Sequence, residues 1–196
     1  MYPLHGDTKV NLFFVSLIIL LVIGYASTIF IKVKTIEIKS NKILNQKKIV
    51  FISDIHLGSN SINHFKKIIK KIIFLNPDMI LIGGDLLDSS SFEIGQLNIL
   101  KEVKVPIYFV TGNHEYYLKN STEKINRLNE FNINLLDNKS SILDDINIIG
   151  VSDNQSLEKQ KEVFFSKKIN NSYNLCLVHK PSLWQFIKNE CDLTLS

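Results

Sequence analysis

A layered α/β domain is the fold class this sequence predicts, on three observations. Short apolar, β-branched runs recur at residues 49–53, 79–82, 107–110 and 175–178. Helical spacing separates them, most clearly at 61–75. There Ile62, Phe65, Ile68, Ile69, Ile72 and Ile73 make one stripe, and Lys66, Lys67, Lys70 and Lys71 lie mostly off it. Each apolar run ends in a cluster of Asp, Asn or His. Strands alternating with helices pack as layers, and in open α/β sheets ligands bind beyond the carboxyl ends of the strands.

The chain has 196 residues and a formal net charge of +4. Its lysines are spread along helices instead of forming one patch, so no nucleic-acid partner is expected. Two cysteines in a chain of this size are not a disulfide framework and leave the compartment open. Leu12 to Ile31 carries no charged residue and is rich in Leu, Ile, Val and Phe. A run of about 20 apolar residues matches a bilayer core, and no small-x-small cleavage site follows it. The expectation is an N-terminal tail and single-pass membrane anchor over 1–33, followed by one domain over 34–196. Lys32, Lys34, Lys39, Lys42, Lys47 and Lys48 follow the span, which predicts that the domain lies on the cytoplasmic face.

Taken in order, 34–40 alternates, with Ile36 and Ile38 on one face, and predicts a half-exposed strand. Ile49 to Ser53 predicts a buried strand running into Asp54-Ile55-His56-Leu57-Gly58. Two residues apart on a strand, Asp54 and His56 would share a face and reach one cation together. The helix over 61–75 ends at Asn76-Pro77-Asp78. Met79 to Ile82 then runs into Gly83-Gly84-Asp85-Leu86-Leu87-Asp88. A helix over 93–103 and a strand over 107–110 lead to Gly112-Asn113-His114-Glu115. A further helix over 121–131 has Asn120 and Glu123 placed as a cap and its N3 partner. Short strands follow at 132–136, 141–143 and 146–151. A helix begins at Leu157, a buried strand over 175–178 runs into His179-Lys180-Pro181, a short helix covers 183–188, and a last strand starts at Asp192.

Asp54/His56, Asp85/Asp88, Asn113/His114 and His179 thus each sit just beyond an apolar strand. One such cluster is ordinary turn chemistry. Four together, built from oxygen and imidazole donors without thiolate, suit Mn, Fe or Zn, and the donor count suits more than one ion. A carboxylate shared between two ions is the plan of a two-metal hydrolase. Asp88 is open between capping its own loop and orienting His114. Glu115 reads as a turn carboxylate, and Lys180 as a solvated lysine or a phosphate contact.

The order Asp54-x-His56, Gly84-Asp85, Gly112-Asn113-His114-Glu115 and His179 resembles the calcineurin-like metallophosphoesterases, over nearly all of the chain after the apolar run. The apolar run, Ser53-Asp54-Ile55-His56 and Val178-His179-Lys180-Pro181 are most similar to a small membrane-linked bacterial branch. The resemblance implies a two-sheet β-sandwich flanked by helices and two divalent ions (Mn, Fe or Zn). It implies that Asp54 and His56 hold the first ion, Asp85 bridges, and Asn113 and His179 hold the second. It implies His114 at the leaving group and Asp88 orienting it. The implied function is hydrolysis of a phosphodiester or diphosphate bond. UDP-2,3-diacylglucosamine, in lipid A synthesis, is one implied substrate, lipid-linked and met at a membrane. Other readings are a phosphodiesterase acting on nucleotides or envelope phosphoesters, and an inactive membrane-anchored module with a partial metal site. Ser89 stands after Asp88 where the protein-phosphatase branch has Arg, which disfavours that branch. The family pattern continues with Gly-His-x-His after a strand like the one at Asp192. The chain ends at Ser196, so a domain incomplete at its C-terminus, of uncertain activity by itself, is expected.

Overall fold

The computed structural model describes residues 5–196, with the side chains of 5–10 and 25–29 outside the described residues. It divides into two units, Met1–Ile38 and Lys39–Ser196. The first contains helix α1 (His5–Ile29). Among the described residues, no helix is long and apolar enough to cross a membrane. The side chains of α1 are described from 11 to 24. The single-pass anchor expected at Leu12–Ile31, whose residues 25–29 lie outside the described side chains, is therefore not supported, nor is the cytoplasmic placement derived from it. The strand expected at 34–40 is also absent. Ile36 and Ile38 are exposed, and this stretch joins no ladder among the described residues; alternation without a neighbouring strand makes no strand.

The second unit carries two four-stranded sheets. The first has the order β1 (Ile49–Ile52), β2 (Met79–Ile82), β3 (Ile107–Phe109), β4 (Ile133–Leu135), all parallel. Its crossovers contain α2 (Ile62–Leu75), a 3₁₀ helix at Ile94–Glu102, and α3 (Asn113–Tyr117) with α4 (Ser121–Asn126). The second has β5 (Lys139–Leu143) antiparallel to β6 (Ile146–Val151). β6 is parallel to β7 (Tyr173–Val178), and β7 to β8 (Leu193–Leu195). α5 (Leu157–Lys167) and α6 (Trp184–Ile187) complete the unit.

Side-chain alternation explains the layering. In β2, Ile80 and Ile82 point into one core with Phe65, Ile69 and Ile72 of α2. Met79 and Leu81 point into another, with Ile146 and Ile148 of β6 and Leu175 and Leu177 of β7. Ile149, Val151, Cys176 and Val178 form a third core with Phe164, Leu183 and Ile187. The layers run helix, sheet, sheet, helix. β2, β6 and β7 are buried on both faces; β2 reads as a continuous apolar run, while β6 and β7 each carry one buried asparagine, Asn147 and Asn174, joined by a 2.8 Å hydrogen bond. The helix expected over 121–131 divides into α4 and a 3₁₀ turn at Arg127–Phe131. Asn120, in the left-handed region at φ 58°, places no side-chain cap on it.

Candidate metal centre

The parallel register of β1, β2 and β3 brings three loops to one end of the first sheet. The pairing of β1 with β2 continues past the strands. Gly84 O accepts from Asp54 N (3.1 Å), Asp85 O from His56 N (2.9 Å) and Leu86 O from Leu57 N (2.8 Å), while Leu57 O accepts from Asp88 N (2.9 Å). β1 itself ends at Ile52. Asp54 (φ 56°), His56 (φ 51°) and Asp85 (φ 51°) are all left-handed. The shared face expected from strand pleating is therefore not what brings Asp54 and His56 together. Left-handed turns held by the neighbouring loop do so. Such conformations are uncommon outside glycine and cluster at functional sites.

Asp85 is the hub. Its side chain is almost fully buried, and Oδ2 lies 3.4 Å from His179 Nε2, 3.7 Å from His56 Nε2 and 3.9 Å from His114 Nε2. Two sets of donor atoms converge within 4.8 Å: His56, Asp85 and His114, and Asp54, Asp85 and His179. Asp85 belongs to both. This grouping differs from the expected one, in which Asp54 and His56 share a position; His56 Nε2 stands 4.0 Å from Asp54 Oδ1. Asn113 opens α3 beside His114 and is partly buried. The chain from β7 supplies His179, whose Nδ1 lies 2.9 Å from Gly83 O. A carbonyl can only accept, so Nδ1 donates to it, and Nε2 is the ring nitrogen that faces Asp85. A ring fixed through one nitrogen with the other free toward a carboxylate is the usual state of a metal-binding histidine. The donor set fits a divalent cation: oxygen and imidazole nitrogen, no thiolate, gathered around one buried carboxylate.

Asp88 holds His114 through a hydrogen bond between Oδ1 and Nδ1, and accepts a second from the Ser59 hydroxyl. The Ser59 bond, with His114 added to it, holds the Asp88 carboxyl below its ordinary range. The Asp88 bond in turn raises His114. The rings of His56 and His114 meet edge to face, 4.6 Å between centroids.

Two glycines are required by close approach. A Cβ on Gly84, at φ 101°, would stand 2.6 Å from His179 Nδ1, and one on Gly112 would collide with Asp85 Oδ1.

Glu115 is more than a turn carboxylate. It is fully buried, and its oxygens accept from the backbone N–H groups of Gly112 (2.8 Å), Asp85 (3.1 Å) and Leu87 (2.7 Å). Burial pushes its pKa up to about 7, against the pull of those bonds. One side chain thus ties the loop after β2 to the turn after β3. The spacing Gly112-x-x-Glu115, an N-cap and its N3 residue, is the signal that could have marked it. Nothing local marked Ser59, Tyr116 or Asp137, which act across long sequence separations.

Residues 47–193 match the model of the calcineurin-like phosphoesterase family. The chain belongs to that family. The chain is 32% identical over 178 residues to an uncharacterised metallophosphoesterase of Helicobacter pylori, covering 84% of this chain and 47% of that protein. It is 35% identical over 159 residues to an uncharacterised metallophosphoesterase of Campylobacter jejuni, covering 76% of this chain and 42% of that one. The chain spans less than half the length of these curated relatives. A solved structure from Thermus thermophilus has the same fold, with a TM-score of 0.50 at 12% identity, covering 73% of this chain and 77% of that one.

Proposed function

We propose that this chain carries metal-binding residues of a phosphoesterase that hydrolyses a phosphodiester or diphosphate bond. The observation that supports it most is Asp85, one buried carboxylate within reach of histidines from three loops and two sheets. In this reading Asp54, His56, Asp85, Asn113 and His179 hold two divalent cations. Bound there, the ions supply Lewis-acid polarisation of the phosphoryl group and an activated water. The protein's own contribution is to fix the donors and to place His114. The Nε2 edge of His114 faces the Asp85 side of the centre while Asp88 grips Nδ1. Asp88 orients the ring and raises its affinity for a proton, which suits His114 to giving a proton to the departing oxygen.

UDP-2,3-diacylglucosamine rested on a membrane tether that the described residues do not supply, so the substrate class stays at phosphodiesters and diphosphates. An inactive module with a partial site makes the opposite prediction in the same test. Purified protein, stripped of metal and reloaded with Mn²⁺, is assayed on a chromogenic diester. Metal-dependent turnover is expected, and Asp85→Ala should lower it by about 10³-fold or more. Turnover unaffected by chelator or by Asp85→Ala excludes the two-ion reading. Binding of Mn²⁺ without turnover favours the module.

A further inference from the structure

Glu115 and Tyr116 are neighbours on α3, yet they bond in opposite directions. Glu115 faces the loops of the first sheet. The Tyr116 hydroxyl bonds Thr111 Oγ1, and lies 2.8 Å from Ser152 Oγ and 3.2 Å from Asp137 Oδ2. Asp137, in the link between β4 and β5, accepts from Thr111 N (2.9 Å) and from the Thr111 hydroxyl. Thr111 and Ser152 are buried. Thr111 stands two residues before Asn113. Ser152 follows Val151, which pairs with Val178 in the parallel register of β6 and β7, and His179 follows Val178. One residue on, Asp153 pairs with Lys180 at 2.7 Å, tying the same two strand ends again.

The apolar core between the sheets stops at Val110 and Leu177. Beyond it the chain turns into loops whose backbone groups need polar partners. Packing alone therefore does not fix how far the turn after β3 stands from the end of β7.

We propose that Tyr116 and Asp137 are positioning residues that set the separation between the turn carrying Asn113 and His114 and the strand end carrying His179, and so shape the second cation position. This rests on the metal reading above. Two sheets joined mainly by an apolar layer can shift slightly against each other. A hydroxyl shared among Thr111, Asp137 and Ser152 resists that shift where the donors sit.

The test uses Tyr116→Phe, which keeps the ring, and Asp137→Asn, which keeps the shape. In each, the weaker of two Mn²⁺ ions should bind about 10-fold less tightly or worse, the tighter ion should be unchanged, and the thermal midpoint should move little. Metal-free protein gives a second readout: amide exchange at residues 112–114 should rise about 10-fold, with β1 and β2 unaffected. The double variant should be no worse than either single one, because both act through one network. Unchanged binding of both ions together with unchanged exchange at 112–114 overturns the proposal. So does equal weakening of both ions with a lowered midpoint, which is general destabilisation. If the unmodified protein binds no Mn²⁺, the metal reading fails, and exchange in the metal-free variants still decides the positioning role.

Discussion

Three loops of the first sheet crowd the centre, whereas the second sheet reaches it through one strand end. The first-sheet loops are over-determined. Backbone bonds continue the β1–β2 ladder past both strands, and one buried carboxylate, Glu115, takes three N–H groups from two loops. At the donor itself the second-sheet arm has fewer ties. His179 touches Gly83 O through Nδ1, and the next residue is tied outward by the Lys180–Asp153 pair. The contrast teaches that folding energy and ligand geometry are bound together on one side of the centre and separable on the other. A substitution on the first-sheet side should cost stability and activity together, and one on the second-sheet side mainly activity.

Glu115→Ala should have the largest effect on folding. It leaves the N–H groups of Gly112, Asp85 and Leu87 without their acceptor in a dry site. At roughly 1–3 kcal/mol per unsatisfied group, partly relieved by relaxation and water, we expect a loss of about 3 kcal/mol. Denaturant unfolding measures it, and Mn²⁺ binding should weaken in the same variant. A fully stable Glu115→Ala protein would break the comparison at its strong side.

His179→Ala should separate the two properties. It removes one hydrogen bond, so stability should fall by only about 1 kcal/mol. Turnover should nevertheless fall by about 100-fold or more, because a donor on the Asp85 hub is lost. Unfolding curves and a diester assay on one preparation check this, and a stability loss as large as that of Glu115→Ala would erase the difference between the sides.

Lys180→Ala should be the smallest of the three. Its ammonium is half exposed although the Asp153 carboxylate is nearly buried, and such a pair contributes about 0.5 kcal/mol. A modest rise in KM with kcat unchanged would show that Lys180 also meets the substrate, which would sharpen the picture of the second-sheet arm.

Asp54, His56, Asp85, His114 and His179, whose side chains the structure brings together, were legible as candidates because each follows a short apolar run, and both features are local. The layered α/β class was legible for the same reason, whereas the two-sheet arrangement was implied only by the family resemblance: β6 and β7 carry Asn147 and Asn174 within buried strands, and nothing local says which sheet a strand joins. The strand expected at 34–40 failed because alternation records which faces could be buried and says nothing about whether a partner strand is present. The anchor expectation is not supported, since among the described residues no helix is long and apolar enough to cross a membrane.

What the sequence by itself determined is the donor chemistry and the strands that carry it, since apolar runs and side-chain types are properties of neighbouring residues. Only the tertiary structure decided that Asp54, His56 and Asp85 stand in left-handed turns, that Glu115 is buried under three amides, and that Tyr116 reaches Asp137 and Ser152. Each of these depends on at least one partner twenty or more residues away, and no local pattern of polarity records which distant group will meet a given side chain when the sheets close.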